Sequence, residues 1–264
     1  MMVVTQLFTF AIVKLRIMKK MKDIANMKDL IEKYAGNIAI LEEAIDIKIQ
    51  KQYFKESRKQ KETLNRSKVL AGKEDLFSPG MSDHEKKALL CQLASIDSVE
   101  AYRAIESYKT DPDQGLADWA VLAYQESKML LQSSFLNEKP LFISTGLGGK
   151  DNMLRYFIVL FTKRGQVFTD LQKRLLNGEI DFSFRKHKGQ IEELEFNDSS
   201  VSITGLVPIE VGLKLMLSEI IKQCNDIEEF LSPSLLVTNV KKLTLKEVEE
   251  LRERKSQNRS QESD

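Results

Sequence analysis

The sequence predicts an α+β protein. Its N-terminal half is all helical, as a HEAT-like repeat or a helical bundle, and its C-terminal half is an antiparallel sheet with helices on one face. Apolar residues recur at helical spacing in the first half, whereas β-branched and aromatic runs separated by turn residues dominate the second. The predicted segments are an apolar N-terminal extension at 1–17, a helical domain at 18–138, an α+β domain at 139–242, and a terminal helix with a disordered polar tail at 243–264.

Composition bounds the class of protein. The 264 residues are 42% hydrophobic and 30% charged, which is enough apolar material for one large or two small domains. The formal net charge of +1 excludes a global attraction to nucleic acid, so any such attraction must be local. Cys91 and Cys224 lie on the apolar sides of predicted helices. Two buried free thiols are typical of a reducing compartment, and we predict a cytoplasmic protein.

The first 17 residues are apolar except for Lys14 and Arg16. This stretch is too short to cross a bilayer as a helix, and its charges follow the apolar run, whereas a secretory signal carries them before it. One interpretation is a short interfacial anchor. The other, which we favour, is that translation begins at Met18 or Met21, and we predict no membrane partner.

The helical half opens with apolar residues from Ile24 to Ile45 at alternating spacings of three and four, which form a heptad seam interrupted by Gly36 and Asn37. This pattern predicts one long helix or a two-helix hairpin. Further along, residues 97–131 read DSVEAYRAIESYKTDPDQGLADWAVLAYQESKMLL, two amphipathic helices around an Asp-Pro turn. This segment resembles a single HEAT-type helical repeat. The resemblance implies a helical surface that binds a partner, and it brings no catalytic residue.

A basic segment between residues 48 and 73 is the strongest indication of a partner. Nine lysines and arginines stand there against Glu56 and Glu62, with two aromatic residues among them. Such a helix suits a phosphate backbone with unpaired bases stacked on the aromatic rings. The other interpretation is a solvated face balanced by acidic residues elsewhere. The candidate binding residues, with those of a second basic turn, are Lys48, Lys51, Tyr53, Phe54, Lys55, Arg58, Lys59, Lys61, Arg66, Arg185, Lys186 and Lys188.

The second half begins with a predicted β-hairpin, in which Leu141–Ile143 and Tyr156–Phe161 flank the turn residues Gly146–Asn152. A phosphate-binding loop would need Gly where Ser144 stands and a hydroxyl residue where Asp151 stands, with a helix after it. We therefore interpret the glycines as a turn. The alternative is an enzyme of unrecognised type with its site at Gly146, Gly148, Gly149 and Lys150.

After this hairpin the pattern predicts a helix that ends near Asn177–Gly178, then a half-buried strand at Ile180–Phe184, where apolar and polar residues alternate. A second hairpin follows, with its turn at 197–200. The remaining predicted elements are a helix from Pro208, a strand at Leu235–Val240 and a last helix at Leu243–Arg254.

No catalytic or metal-binding motif is present in the sequence. Two histidines and two cysteines stand far apart, without the spacing of zinc ligands, and no nucleophile elbow occurs. Glu193 and Glu195 share one side of a predicted strand, which we interpret as a solvent face. We predict no cofactor and no metal. The predicted function is a non-enzymatic interaction protein with a protein or ribonucleoprotein partner, and an acidic partner such as RNA is favoured by the basic helix.

Overall fold

The computed structural model of the protein describes residues 37–136 and 141–261. These residues fall into two compact units, an N-terminal unit of residues 37–144 and a C-terminal unit of residues 145–261. Helices fill the first unit, and an antiparallel sheet with helices forms the second, so the α+β class is confirmed. The predicted extension at 1–17 and the seam before residue 37 lie outside the described residues.

The N-terminal unit is built from helices and one small pair of strands. Two three-residue strands, β1 (Ile38–Ile40) and β2 (Leu141–Ile143), pair in parallel. A short 3₁₀ turn at Lys73–Phe77 precedes the third helix. The helices in its described residues are α1 (Ile47–Glu62), α2 (Arg66–Ala71), α3 (Asp83–Ala94), α4 (Val99–Thr110) and α5 (Ala117–Leu136).

Side-chain caps explain where several of these helices begin. The carboxylate of Asp46 accepts a hydrogen bond from the backbone N–H of Lys48 at 2.6 Å and so caps α1. Ser82 and Glu85 form a reciprocal capping box at the start of α3. The predicted helix over the last part of the heptad seam is wrong. Ile38–Ile40 is a strand, and α1 begins only after Asp46.

The core of the N-terminal unit joins α1, α5 and β2. The ring centroids of Tyr53 and Trp119 lie 5.4 Å apart, and those of Phe54 and Phe142 lie 6.3 Å apart. Phe142 belongs to β2, so this strand completes the core of the helical unit. The boundary between the units therefore falls after Ser144 instead of at the predicted residue 138.

A buried carboxylate ties α1 to α5. Glu126 on α5 is only 7% exposed and accepts hydrogen bonds from the hydroxyls of Tyr53 (2.6 Å) and Ser57 (2.9 and 3.0 Å). Its third partner is the ammonium of Lys61, at 2.6 Å. These partners recur every four residues, so they lie on the side of α1 that faces α5. We call this arrangement the Glu126 clamp. Burial and the nearby carboxylate raise the pKa of Tyr53 well above its ordinary value, so its hydroxyl stays a donor.

A second buried charge lies between α3 and the turn before α5. Lys86 is 3% exposed, and its Nζ atom lies 2.5 Å from Oδ2 of Asp113. The hydroxyl of Tyr108 donates to the same oxygen at 2.5 Å. These two hydrogen bonds, that of Lys86 first, hold the pKa of Asp113 below its ordinary value.

The C-terminal unit contains one antiparallel sheet. Its strands are β3 (Gly149–Lys150), β4 (Met153–Thr162), β5 (Gln190–Phe196), β6 (Ser200–Pro208) and β7 (Leu231–Thr238). Its helices are α6 (Asp170–Lys186), α7 (Leu213–Ile227) and α8 (Leu245–Gln261). Strand β4 lies at the centre, with β6 and then β5 on one side and with β7 and the short β3 on the other. Apart from β3 and α8, the chain order is β-α-β-β-α-β, which is the ferredoxin-like arrangement.

The two faces of this sheet are covered by different helices. Alternate residues of β4 point to opposite faces, so Ile158 and Leu160 pack with α6 and α7, while Phe157, Val159 and Phe161 pack on the other side. That second face is covered in part by α8, whose Val248 is buried there. Over Phe161, the guanidinium of Arg252 lies 4.8 Å from the ring centroid. Helices thus cover one face, as predicted, and the last helix adds a partial layer on the other.

The predicted first hairpin is wrong. Strand β2 pairs with β1 in the N-terminal unit and not with β4. The hairpin that forms is much smaller and joins Gly149–Lys150 to Met153–Leu154. The second hairpin is confirmed, with Leu194 of β5 opposite Ile203 of β6.

The predicted strand at Ile180–Phe184 is also wrong, because α6 continues through Asn177–Gly178 to Lys186. Ile180 and Phe184 are four residues apart and both enter the core, while Phe182 between them is exposed. Because Phe182 lies on the solvent side of α6, apolar and polar residues alternate in the sequence as they do in a strand. The tail that we predicted to be disordered is helical as far as Gln261.

We expect Glu126→Ala to lower the free energy of unfolding of the N-terminal unit by about 3 kcal/mol, because it leaves two buried hydroxyls and the half-buried ammonium of Lys61 without their acceptor. Trp119 is the only tryptophan in the sequence and lies in this core, so its fluorescence during urea unfolding reports on this unit. The control Glu62→Ala removes an exposed carboxylate and should change the value by less than about 0.5 kcal/mol. Equal losses in the two variants would contradict the role of the clamp.

The lowered pKa of Asp113 predicts a pH dependence of stability. A carboxyl whose folded pKa is depressed stabilises the fold above its unfolded pKa of about 3.9, and this contribution is lost as the pH falls through the folded value. We expect Asp113→Asn to be less stable than the wild type at pH 7, with the difference narrowing below about pH 4. Urea midpoints by Trp119 fluorescence between pH 2 and 7 measure this, with Asp111→Asn as control. A difference that does not change with pH would show that Asp113 acts only by packing.

Candidate nucleic-acid interface

The outer side of α1 carries a row of cations. Five positively charged residues are exposed. Four of them recur at intervals of three and four and the fifth adjoins the last, which places all five on one side of the helix. From the first to the last they cover eleven helical steps, or about 16 Å at the 1.5 Å rise of an α-helix. We call this row the basic stripe, and it consists of Lys48, Lys51, Lys55, Arg58 and Lys59.

Most of the charge in this stripe has no acidic partner among residues 37–136 and 141–261. Within the part of the chain that the structure describes, Lys48, Lys51 and Lys55 take part in no ion pair. Lys59 lies 3.8 Å from Glu56 across one helical turn, a pair that solvent weakens because the lysine is 69% exposed. The stripe therefore presents to solvent a positive field that the described residues do not neutralise.

The aromatic residues of the predicted site lie on the other side of α1. Tyr53 is fully buried and Phe54 is 3% exposed, and both belong to the core of the N-terminal unit. The prediction that they stack on unpaired bases is wrong, because their rings have no free face. The cations and the aromatics are close in sequence but lie on opposite sides of the helix.

Two further predicted cations are partly engaged within the N-terminal unit. Lys61 is half-buried in the Glu126 clamp, so its charge stabilises the fold, and it does not belong to the exposed row. Arg66 at the start of α2 is exposed, and its guanidinium donates to the carbonyl of Asp97 at 3.5 Å. Of the predicted cations in this unit, the basic stripe is thus the set that one surface brings together.

The second basic turn lies in the C-terminal unit and is largely neutralised. Arg185 is ion-paired with Asp181 one turn earlier in α6. Lys186 is paired with Glu219 of α7 at 3.0 Å. Lys188 is exposed at the turn that follows α6, with a positive φ of 56°. The pairing leaves this turn with little net charge.

The glycine loop of the alternative site is packed against its own chain. A Cβ atom on Gly146 would lie 1.8 Å from the carbonyl oxygen of Val240. The N–H groups of Leu147 and Gly148 already donate to the carbonyls of Asn239 and Thr145, so they do not point to a ligand. Gly149 is buried in β3, and Lys150 is exposed.

A groove of about 290 Å³ lies on the sheet face that α8 covers in part. Its floor contains Phe157 and Val159, and carboxylates and hydroxyls of β5 and β6 form a wall. Lys242 spans the groove and lies 2.6 and 2.7 Å from the two carboxylate oxygens of Glu193, whose pKa it lowers. Glu195 also lines the groove, as the shared strand side of these two glutamates predicts. The sequence offers no signal for Lys242, because it reaches this pair only through the tertiary fold.

The described residues contain no group of three or more His, Cys, Asp or Glu side chains arranged to hold a metal ion. None of the described helices combines the length and the apolar character needed to span a membrane. Cys91 and Cys224 are buried free thiols, as the sequence predicts. Burial raises the pKa of Cys224 to about 12, so this thiol is not an activated nucleophile.

Comparison with models of protein families gave no match, and comparison with curated proteins gave none. Among solved structures, the chain is similar to one described as the structure of the REP associates tyrosine transposase bound to a REP hairpin. The sequence identity is 14% and the TM-score is 0.30, and the match covers 34% of this chain and 57% of that chain. A TM-score this low supports no statement about the fold or the function of this chain. The ferredoxin-like arrangement is inferred from the order of strands and helices in the C-terminal unit alone. The resemblance of residues 97–131 to a HEAT-type repeat stays a prediction, although α4 and α5 do form the expected helix pair.

We expect Gly146→Ala to destabilise the C-terminal unit by about 1–3 kcal/mol, because the new methyl group meets backbone atoms that have no alternative rotamer. Gly178→Ala is the matched control in the same unit, since its Cβ position has no neighbour within 4 Å, and it should be neutral or stabilising. Far-UV circular dichroism during urea unfolding reports the unfolding of both units. Trp119 fluorescence reports the unfolding of the N-terminal unit alone, so the two contributions can be separated. If both alanine variants were tolerated equally, the close packing of Gly146 against Val240 would be incorrect.

Proposed function

We propose that the N-terminal unit binds the phosphate backbone of RNA, free or within a ribonucleoprotein, through the basic stripe on α1. The observation that carries this proposal is the exposure of Lys48, Lys51 and Lys55 in one row without acidic partners in the described chain. Folding gains little from such a row, since like charges three and four residues apart destabilise a helix. We therefore expect the row to meet a polyanion that offsets this repulsion.

The burial of Tyr53 and Phe54 limits the kind of RNA that the basic stripe can bind. Recognition of single strands relies on aromatic faces that stack on bases, and α1 offers none on its outer side. Lysine ammonium groups contact phosphates as point charges and read no bases. The proposed binding is therefore independent of sequence and is directed at the backbone of base-paired RNA.

Helix α1 is rigidly positioned by contacts within the N-terminal unit. The Glu126 clamp fixes three successive turns of α1 from the inner side, and Asp46 caps its first turn. The stripe is thus displayed on a rigid element, and binding does not require α1 to become ordered. This preorganisation reduces the entropic cost of association.

The experiment is a salt titration of binding. Fluorescence anisotropy with a labelled RNA duplex of about 20 base pairs, between 50 and 200 mM salt, should give a log–log slope of roughly −4, because each contacted phosphate contributes about −0.9. The variant Lys48→Glu/Lys51→Glu/Lys55→Glu should bind at least 100-fold more weakly, with a slope smaller by about 3.

A matched control makes the same change in net charge elsewhere. Lys128→Glu/Lys214→Glu/Lys246→Glu reverses three exposed lysines outside the stripe and should bind nearly as well as the wild type. If both triple variants lose affinity equally, the attraction is non-local and the stripe is not the site. If the wild type binds poly-glutamate as tightly as RNA, the partner is an acidic protein and the RNA proposal fails.

A further inference from the structure

Helix α6 carries a second apolar row, which the fold uses only at Leu175, where the side chain packs in part against the C-terminal core. Leu171 is 62% exposed and Phe182 is 58% exposed, although both are large apolar residues. Between them lie the half-buried Leu175 and the exposed Gly178. The spacing is four, three and four, which is the heptad spacing that one helix offers to another. We call these four residues the α6 seam.

Apart from Leu175, the seam does not pack against the core of the C-terminal unit. The core side of α6 consists of Leu176, Ile180 and Phe184, which are nearly inaccessible to solvent. Seam and core thus lie on different sides of one helix, and the seam faces solvent over about 16 Å. A helix with two apolar sides is expected to have two partners.

Gly178 marks the point of closest approach. Glycine in a helix interior is unfavourable compared with alanine, and no turn or positive φ requires it here. The position of a Cβ atom on Gly178 has no heavy-atom neighbour within 4 Å, so nothing in the described chain demands its small size. A notch of this kind in an apolar row accepts a side chain from a facing helix.

The seam is complementary to itself. If two copies of α6 pack antiparallel about a two-fold axis near residue 177, Leu175 of each copy faces the notch at Gly178 of the other. The same operation places Leu171 opposite Phe182. At the centre, each Leu175 packs against Gly178 of the other copy. At both ends, Leu171 packs against Phe182, so the same patch contacts itself, as an isologous contact requires.

The charges beside the seam follow the same symmetry. Helical spacing puts Arg174 and Asp181 on one flank, and in an antiparallel pair this flank meets its own copy, so each arginine faces an aspartate of the other copy. The opposite flank is already engaged, since Gln172 donates to Glu228 and Lys186 is paired with Glu219, next to and within α7. On the first flank, Arg174 has no ion-pair partner among the described residues. Asp181 is paired with Arg185 of its own helix, and an arginine of the other copy would share this aspartate.

We propose that the α6 seam is a homodimer contact in which two copies of this chain pack α6 antiparallel across Gly178. A contact based on one helix pair falls in the small class of interfaces, so the dimer is weak, with a dissociation constant on the order of 10–100 μM. This proposal goes beyond the RNA-binding role and does not rest on it.

Sedimentation velocity of the full chain over a concentration series from a few to several hundred micromolar tests it. The wild type should shift from monomer to dimer within this range. Phe182→Lys should weaken association at least tenfold, and so should Gly178→Gln, which fills the notch while favouring the helix. Val99→Lys, at an apolar position of the other unit that is 53% exposed, is the control and should dimerise like the wild type.

A charge exchange tests the geometry separately from apolar packing. Arg174→Glu should weaken the dimer about threefold or more, because it places two acidic residues opposite each other. Adding Asp181→Arg should restore association in part, since the facing pairs again have opposite charge while Arg185 loses its partner within α6. A wild type that stays monomeric throughout the range would overturn the proposal. So would equal dimerisation of the wild type and Gly178→Gln, or a double variant weaker than Arg174→Glu alone.

Discussion

The Glu126 clamp is the interaction on which the arrangement of the N-terminal unit depends. A carboxylate this deeply buried is unfavourable unless hydrogen bonds and a counter-charge satisfy it, and α1 supplies both from residues spaced one turn apart. This requirement fixes the rotation of α1 about its own axis. With that rotation set, Tyr53 and Phe54 must enter the core, and the cations of the basic stripe must face solvent. The basic stripe is thus a consequence of a contact on the far side of the helix.

The C-terminal unit is organised by β4 in a similar way. This central strand is apolar at almost every position because both of its faces are covered, by α6 and α7 on one side and by α8 on the other. Its neighbours need apolar side chains mainly on the face towards α6 and α7. Away from α8, the opposite face is therefore polar, with Ser202, Thr204 and Glu193 lining a groove that Lys242 spans.

The two proposed surfaces bind their partners through different kinds of interaction. The basic stripe acts through charge and is sensitive to salt, whereas the α6 seam acts through apolar packing and shape and is sensitive to protein concentration. Each lies on a helix whose opposite side is anchored in a core, so both are displayed on rigid elements. A dimer through α6 would bring two basic stripes into one particle, which raises affinity for a long polyanion through effective concentration.

The sequence by itself determined the α+β class, the buried thiols, the second hairpin and the basic character of α1. These are local matters of periodicity, turn chemistry and side-chain type. Only the tertiary structure decided that β2 pairs with β1 and that Phe182 lies on a helix. It also decided that the aromatics of α1 face away from its cations. Pairing of distant strands depends on which surfaces are left to bury, and alternation over five residues fits a strand or an exposed apolar row equally well. The side of a helix that faces inward is set by its partner, here a carboxylate more than sixty residues away in the chain.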